Sequence, residues 1–203
     1  MISEDITGRT MAKLRIVVLG GSLSPVSRVD RLAQWCARVC AEARAEVTCF
    51  RGVDLEFPFY RPGMLDRAAR DYLDAVRAAD GVVLVSPAYH GTVSGLLKNA
   101  LDYVNELAGE DAPFLDDRPI GCVAVAAGEQ GAHSTLATLR TIAHALRGWP
   151  TPLGLALAAD RAGVGRDGVP TDARTCSTLS LMLDQVLTAA ARQARDRRPV
   201  RLS

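Results

Sequence analysis

Leu14-Arg15-Ile16-Val17-Val18-Leu19-Gly20-Gly21-Ser22-Leu23-Ser24-Pro25-Val26-Ser27-Arg28 carries a near-continuous apolar run into a Gly/Ser loop, and a helical pattern follows. An unbroken apolar run of this length reads as a strand buried on both faces, the condition of a parallel sheet covered by helices. Beyond the loop, Leu32, Trp35, Cys36, Val39 and Cys40 recur at helical spacing and make one apolar face. The same unit returns along the chain. Strand-like runs stand at Leu14–Leu19, Val47–Phe50, Gly81–Val85, Gly121–Ala126 and Leu153–Leu157. Helical faces follow them, built on Leu65, Ala69, Tyr72, Leu73 and Val76, on Leu97, Leu101 and Val104, on Leu136, Leu139, Ile142, Ala143 and Leu146, and on Leu179, Leu183, Val186 and Leu187. Repeated βα units joined by right-handed crossovers predict an α/β fold: a five-stranded parallel sheet with helices on both faces.

The composition bounds what such a fold can do. At 203 residues and 48% hydrophobic, the chain suits one domain with a full core and is not a disordered polymer. A net charge of +1 gives no electrostatic reason for nucleic acid as a partner. No apolar run approaches the roughly 20 residues of a membrane span. The polar residues 1–12 read as a flexible extension without signal-peptide features, residues 13–191 as the domain, and residues 192–203 as a basic solvated tail. The five cysteines form no CxxC pair and no Cys/His cluster, which predicts reduced, mostly buried thiols, no metal site and a cytoplasmic protein. Gly52–Gly63 and Ala159–Asp172 are irregular in pattern, the second being read as a mobile surface loop, and Trp35 and Trp149 as packing residues.

Gly20 to Arg28 lies where open parallel sheets bind ligands, past the carboxyl end of a strand. Glycines let the backbone approach a ligand. N–H groups at a helix start favour an anion. The hydroxyls of Ser22, Ser24 and Ser27 add donors and Arg28 a planar cationic fork, a set suited to a phosphate monoester. Ser27-Arg28-Val29-Asp30 also reads as a capping box, and both uses share one helix end. The segment is neither GxGxxG nor GxxxxGK[ST], so a dinucleotide fingerprint and a P-loop are disfavoured. Gly20-Gly21-Ser22-Leu23-Ser24 half matches a nucleophile elbow, but Ser24 stands where the last glycine belongs.

A second informative stretch runs Ser86-Pro87-Ala88-Tyr89-His90-Gly91-Thr92-Val93-Ser94-Gly95-Leu96-Leu97-Lys98-Asn99-Ala100-Leu101-Asp102-Tyr103. It reads as strand, turn and helix, with Pro87 ending the strand and Tyr89 and His90 in the loop. Together the two stretches resemble the NADPH-dependent FMN reductase family over roughly Leu14 to Leu157. The first loop is most similar to FMN reductases that serve sulfonate-utilising monooxygenases.

The resemblance implies a flavodoxin-like sheet of strand order 2-1-3-4-5. It implies FMN held at its phosphate by Ser22, Ser27 and Arg28, with Ser24 kept as a cofactor-binding candidate from its hydroxyl in the same loop. Pro87, Ala88, Tyr89 and His90 would meet the isoalloxazine largely through backbone, and the Ala127–Gly131 loop, with Gly128 and Glu129, would border the ring. Two departures stand out: Glu129 and Gln130 separate glycines that are adjacent in many relatives, and Ala88 stands where relatives often carry Glu. The flavin would carry the chemistry, taking a hydride from NADPH or NADH, so no side chain is required as a catalytic acid, base or nucleophile. Reduced flavin would pass to a partner monooxygenase. Alternatively, bound FMN would reduce a quinone, an azo compound or another small acceptor. A non-enzymatic electron carrier is a third reading.

The resemblance also implies a homodimer or homotetramer, with Ala100, Leu107, Ala137 and Ala143 usable either in an interface or in the core. His90 is expected to support its loop, His133 to cap or touch a nucleotide, and His144 to be structural. Lys98 and Asp102 are spaced for an i,i+4 pair. Arg28, Arg61, Arg118 and Arg140 are the arginines considered for a 2′-phosphate.

Overall fold

A computed structural model describes residues 13–24, 27–158 and 163–196. The expectations for residues 1–12 fall outside these residues.

Seven strands and the helices between them alternate along the described chain: β1 (Arg15–Gly20), α1 (Arg28–Glu42), β2 (Glu46–Arg51), α2 (Arg67–Ala78), β3 (Gly81–Tyr89), β4 (Thr92–Val93), α3 (Gly95–Tyr103), β5 (Pro119–Ala126), α4 (Glu129–Ala145), β6 (Trp149–Pro150), β7 (Leu155–Ala158) and α5 (Ala173–Asp196). The sheet runs β2-β1-β3-β5-β6, all parallel, with β7 also parallel to β5. Counting β6 and β7 as one interrupted strand, this is the expected 2-1-3-4-5 order of a flavodoxin-like fold.

Burial explains the arrangement. Every residue of β5 is buried, as are the first seven of β3, while the edge strand β2 is only partly covered. The period of two then sorts side chains to two faces. Val17, Leu19, Val82, Leu84, Ile120 and Cys122 pack with α2, α3 and α4. Ile16, Val18, Val83, Val85, Val123 and Val125 pack with α1 and α5. Each such aliphatic side chain contributes about 1.5–3 kcal/mol on burial. Helix starts are set by side-chain caps, with Ser27, Asp66 and Ser94 accepting from the N–H groups of Asp30, Ala69 and Leu97.

Several expectations are corrected. The strand does not stop at Pro87 but continues to Tyr89 and folds back on Thr92–Val93. At Ser86 and Pro87 the strand has lost β1 as a neighbour and pairs with β5 on its other side, so a residue without N–H is tolerated on the open side. The run expected at Leu153–Leu157 forms β7 only from Leu155, which pairs with Val123–Ala126, and a short strand not expected from the sequence, β6, precedes it and pairs with Pro119–Ile120. Between them the Thr151 N–H donates to Ile120 O (2.9 Å) and its hydroxyl to Leu153 O (2.8 Å). Trp149 lies on this short edge strand and is 61% exposed, its Nε1–H donating to Asp117 Oδ1, so it is not a core residue; Trp35 is.

Within the region read as a mobile loop, 163–171 forms a small hairpin with Val164 bridging Pro170, and Arg38 of α1 donates to Asp167 O. Arg192 belongs to α5, which passes the expected boundary at 191/192. His144 is exposed in the last turn of α4, not buried in support of the core.

Burial pushes the Cys40 and Cys49 thiols up to about 11 and Cys122 up to about 12, so they stay protonated at neutral pH. Among the described residues, no helix is long and apolar enough to cross a membrane.

Candidate functional site

The chain turns in opposite directions from β1, to β2 on one side and β3 on the other, which opens a crevice past their carboxyl ends. Gly20 pairs with Val85, and the Gly21 N–H then donates to Val85 O at 2.8 Å, so the loop leaves the sheet at this switch point. A Cβ on Gly21 would lie 2.7 Å from Leu97 Cβ and 2.8 Å from Ser94 Oγ, so only glycine fits here.

Loop hydroxyls hold the backbone. Ser22 is buried and accepts from Ser24 N–H (3.3 Å), Ser24 O accepts from Ser27 N–H (3.0 Å), and Ser27 Oγ accepts from Asp30 N–H (3.0 Å). Ser24 is exposed, and Ser27 and Arg28 are half-buried at the start of α1. The predicted reciprocal capping box is half formed. Ser27 caps, but the Asp30 carboxylate turns away to Arg51 Nη1 at 2.8 and 3.0 Å and to Gln34 Nε2 at 3.0 Å. The acid that would repel an anion at this helix end is therefore neutralised from β2.

Tyr89 and His90 are not in an open loop. Tyr89 pairs with Thr92, and His90 and Gly91 between them have φ of 51° and 83°, the left-handed pair of a two-residue hairpin turn. Tyr89 stands 54% exposed at its edge, Ala88 is half-buried and Pro87 buried. Ser134 of α4 donates to Gly91 O at 2.6 Å, and a Cβ on Gly131 would lie 3.8 Å from Ala88 Cβ, so the start of α4 abuts the hairpin. Gly128 is the N-cap of α4, without a side-chain cap bond and with open space at its Cα.

The phosphate-type loop, the hairpin and the start of α4 therefore surround the carboxyl edge of β1, β3 and β5. Glu129 and His133 open onto a cavity of about 570 Å³ shared with the end of β7 and with Asp172, Arg174 and Thr175.

Other sequence candidates resolve differently. Arg118 is buried, its guanidinium donating to Ala79 O, Phe114 O and Arg77 O, which commits it to the core. Arg140 donates to Thr151 O. Arg61 lines a separate cavity of about 600 Å³ with Phe59, Met64 and Tyr103. Ala100, Leu107 and Ala143 are core residues, whereas Ala137 is exposed. Lys98 and Asp102 form their i,i+4 pair at 2.6 Å.

Asn99 has a larger part than pairing. Its amide donates to Phe57 O and Pro58 O (3.2 and 3.0 Å), and its Oδ1 accepts from Tyr60 N–H (2.9 Å). Glu106 accepts from Tyr60 Oη–H and Gly63 N–H, so the aromatic loop after β2 is tied to α3 and the turn beyond it. Arg51 and Ser94 are the residues that sequence reading missed as supports of the site. Ser94 reads only as part of the strand, turn and helix of the second stretch, and Arg51 carries no local signal.

A profile of the NADPH-dependent FMN reductase family matches residues 14–162. The chain is 37% identical over 126 residues to an NADPH azoreductase of Bacillus sp. (strain OY1-2), covering 61% of this chain and 65% of that protein. It is 36% identical over 87 residues to an FMN-dependent NADPH-azoreductase of Staphylococcus haemolyticus (strain JCSC1435), covering 43% of each. In both cases it spans less than two thirds of the relative's length. Among solved structures it is similar to FerB, a flavoenzyme NAD(P)H:(acceptor) oxidoreductase from Paracoccus denitrificans, with TM-score 0.70, 19% identity and coverage of 89% of this chain and 98% of that one. It is also similar to an NADH:FMN oxidoreductase (EMOB) in its apo form, with TM-score 0.67, 19% identity and coverage of 87% and 90%. These likenesses show the flavodoxin-like fold.

Proposed function

Because the chain belongs to the NADPH-dependent FMN reductase family, we propose that it binds FMN at the carboxyl edge of the sheet and reduces it with NADPH. The observation that carries this reading is the meeting of three backbone devices at one edge: the loop into α1, the left-handed hairpin turn, and the glycine-capped start of α4. The donor chemistry fits a phosphate monoester. Ser24, Ser27 and Arg28 stand in one short segment at the start of α1, where helix N–H groups favour an anion, and Asp30 is paired with Arg51.

In this reading Ser22, Ser24, Ser27 and Arg28 hold the phosphate. Pro87, Ala88, Tyr89 and His90 lie along the ring, and Gly128 and Glu129 border it. FMN, when bound, supplies the redox chemistry by accepting a hydride and passing electrons onward. The protein fixes the ring by backbone contact, covers one side with Tyr89 and keeps water from that side. His90 holds the turn and transfers no proton.

The electron acceptor is a small molecule, an azo compound or a quinone, and the names of the curated relatives support the azo class. A flavin-dependent monooxygenase, as in sulfonate use, is the alternative recipient. The protein would work in the cytoplasm as a homodimer or homotetramer. Titration of flavin-free protein with FMN, followed by NADPH oxidation with and without an azo dye, tests the reading. Quenching of flavin fluorescence and dye bleaching that requires FMN are expected. Absence of flavin binding at micromolar protein would overturn it. Activity that saturates with added FMN, without a dye, would favour the monooxygenase route.

A further inference from the structure

Resting on the FMN reading, we propose that Ser94 is a positioning residue that locks the phosphate loop to the ring-facing hairpin, so that the two ends of the cofactor bind as one unit. Ser94 is 1% exposed, and its hydroxyl and its N–H each bond to another segment of the chain. Its hydroxyl donates to Gly21 O at 2.7 Å and accepts from Leu97 N–H at 3.2 Å. Its N–H donates to Ser86 Oγ at 3.2 Å, and the Ser86 hydroxyl donates to Pro87 O at 2.8 Å.

Gly21 is thereby clamped on both sides, its N–H on Val85 O and its carbonyl on Ser94. A continuous buried chain of bonds joins Gly21 to Pro87, the residue before the hairpin pairing starts at Ala88. The two segments lie 73 residues apart in sequence at Ser94 and Gly21.

Two anchors for one ligand give their full combined affinity only when their separation is fixed to match it. With the link cut, the phosphate loop would explore positions in which phosphate and ring cannot be satisfied together, and that ordering cost would fall on binding. Riboflavin isolates this effect because it presents the ring without the phosphate. The ratio of riboflavin to FMN dissociation constants therefore measures how well the loop is placed relative to the ring site.

The test titrates flavin-free wild type, Ser94→Ala, Ser94→Thr and Ser86→Ala with FMN and with riboflavin, by fluorescence quenching well below each thermal midpoint. Ser94→Ala should lower the ratio by on the order of tenfold, the worth of one buried hydrogen bond. Ser94→Thr restores the hydroxyl and should recover most of it. Ser86→Ala cuts the link from the hairpin side without touching Gly21, and it carries the test if Ser94→Ala does not fold. A merely structural role would lower the thermal midpoint and weaken both flavins equally. An unchanged ratio in Ser94→Ala and Ser86→Ala, with wild type preferring FMN, overturns the proposal. Wild type that binds neither flavin overturns the FMN reading instead.

Discussion

Replacing Arg51 with Met probes the ion pair at the start of α1. Asp30 stands in the first turn of α1 with its side chain 1% exposed, and both carboxylate oxygens accept from Arg51 Nη1. Met keeps the apolar stem and removes the charge, leaving Gln34 as the remaining side-chain donor in that set. Removing one partner of a buried pair costs about 3–5 kcal/mol. Arg51 is itself 38% exposed, so water can enter where the guanidinium was, and the lower figure of about 2–3 kcal/mol applies. For a domain of this size that is a fall in Tm of roughly 5–10 °C.

The uncovered carboxylate would also oppose the phosphate at the same helix end, weakening FMN by on the order of tenfold at low salt. Adding Asp30→Asn removes the stranded charge, so the double variant should recover, with a coupling of about 1.5–2.5 kcal/mol. Urea unfolding followed by the fluorescence of Trp35, buried on α1, supplies the four free energies of the cycle. If Arg51→Met unfolds within about 0.5 kcal/mol of wild type, or the two substitutions simply add, Asp30 does not depend on Arg51 and the reasoning fails.

Gly21→Ala should destabilise by about 1–3 kcal/mol, because its Cβ would meet Leu97 Cβ at 2.7 Å and Ser94 Oγ at 2.8 Å; a thermal midpoint equal to wild type would contradict the close approach. Asn99→Ala removes three bonds to the Phe57–Tyr60 segment, and hydrogen exchange there should accelerate at least tenfold while β5 stays protected. The Thr175 hydroxyl and N–H hold the Asp172 carboxyl below its usual range. Its folded value is depressed, so its stabilisation is present above the ordinary carboxylate range and is lost as pH falls through the lowered value. The Tm difference between wild type and Asp172→Ala should therefore shrink in acid, and a pH-independent difference would count against this cap.

The sequence by itself determined the repeated βα order, the buried central strands and the position of the anion-suited loop. These are local properties: apolar run, period and turn chemistry act over a few residues, and the Leu14–Arg28 stretch shows all of them. Ser27 was legible as a cap for the same reason. The extent of β3 was not, because Pro87 is acceptable only where β1 has ended, which is a fact about a neighbouring strand. Trp149 was misread because its short strand lies at the sheet edge, where indole size says nothing of exposure.

Only the tertiary structure decided which polar residues support the site. Arg51 reaches Asp30 across 21 residues and Ser94 reaches Gly21 across 73, separations at which no sequence pattern operates. Both contacts exist because the sheet sets the carboxyl ends of β1, β2 and β3 side by side. That alignment also decides that Arg118, an equal candidate by residue type, is buried and donates from all three guanidinium nitrogens to core carbonyls.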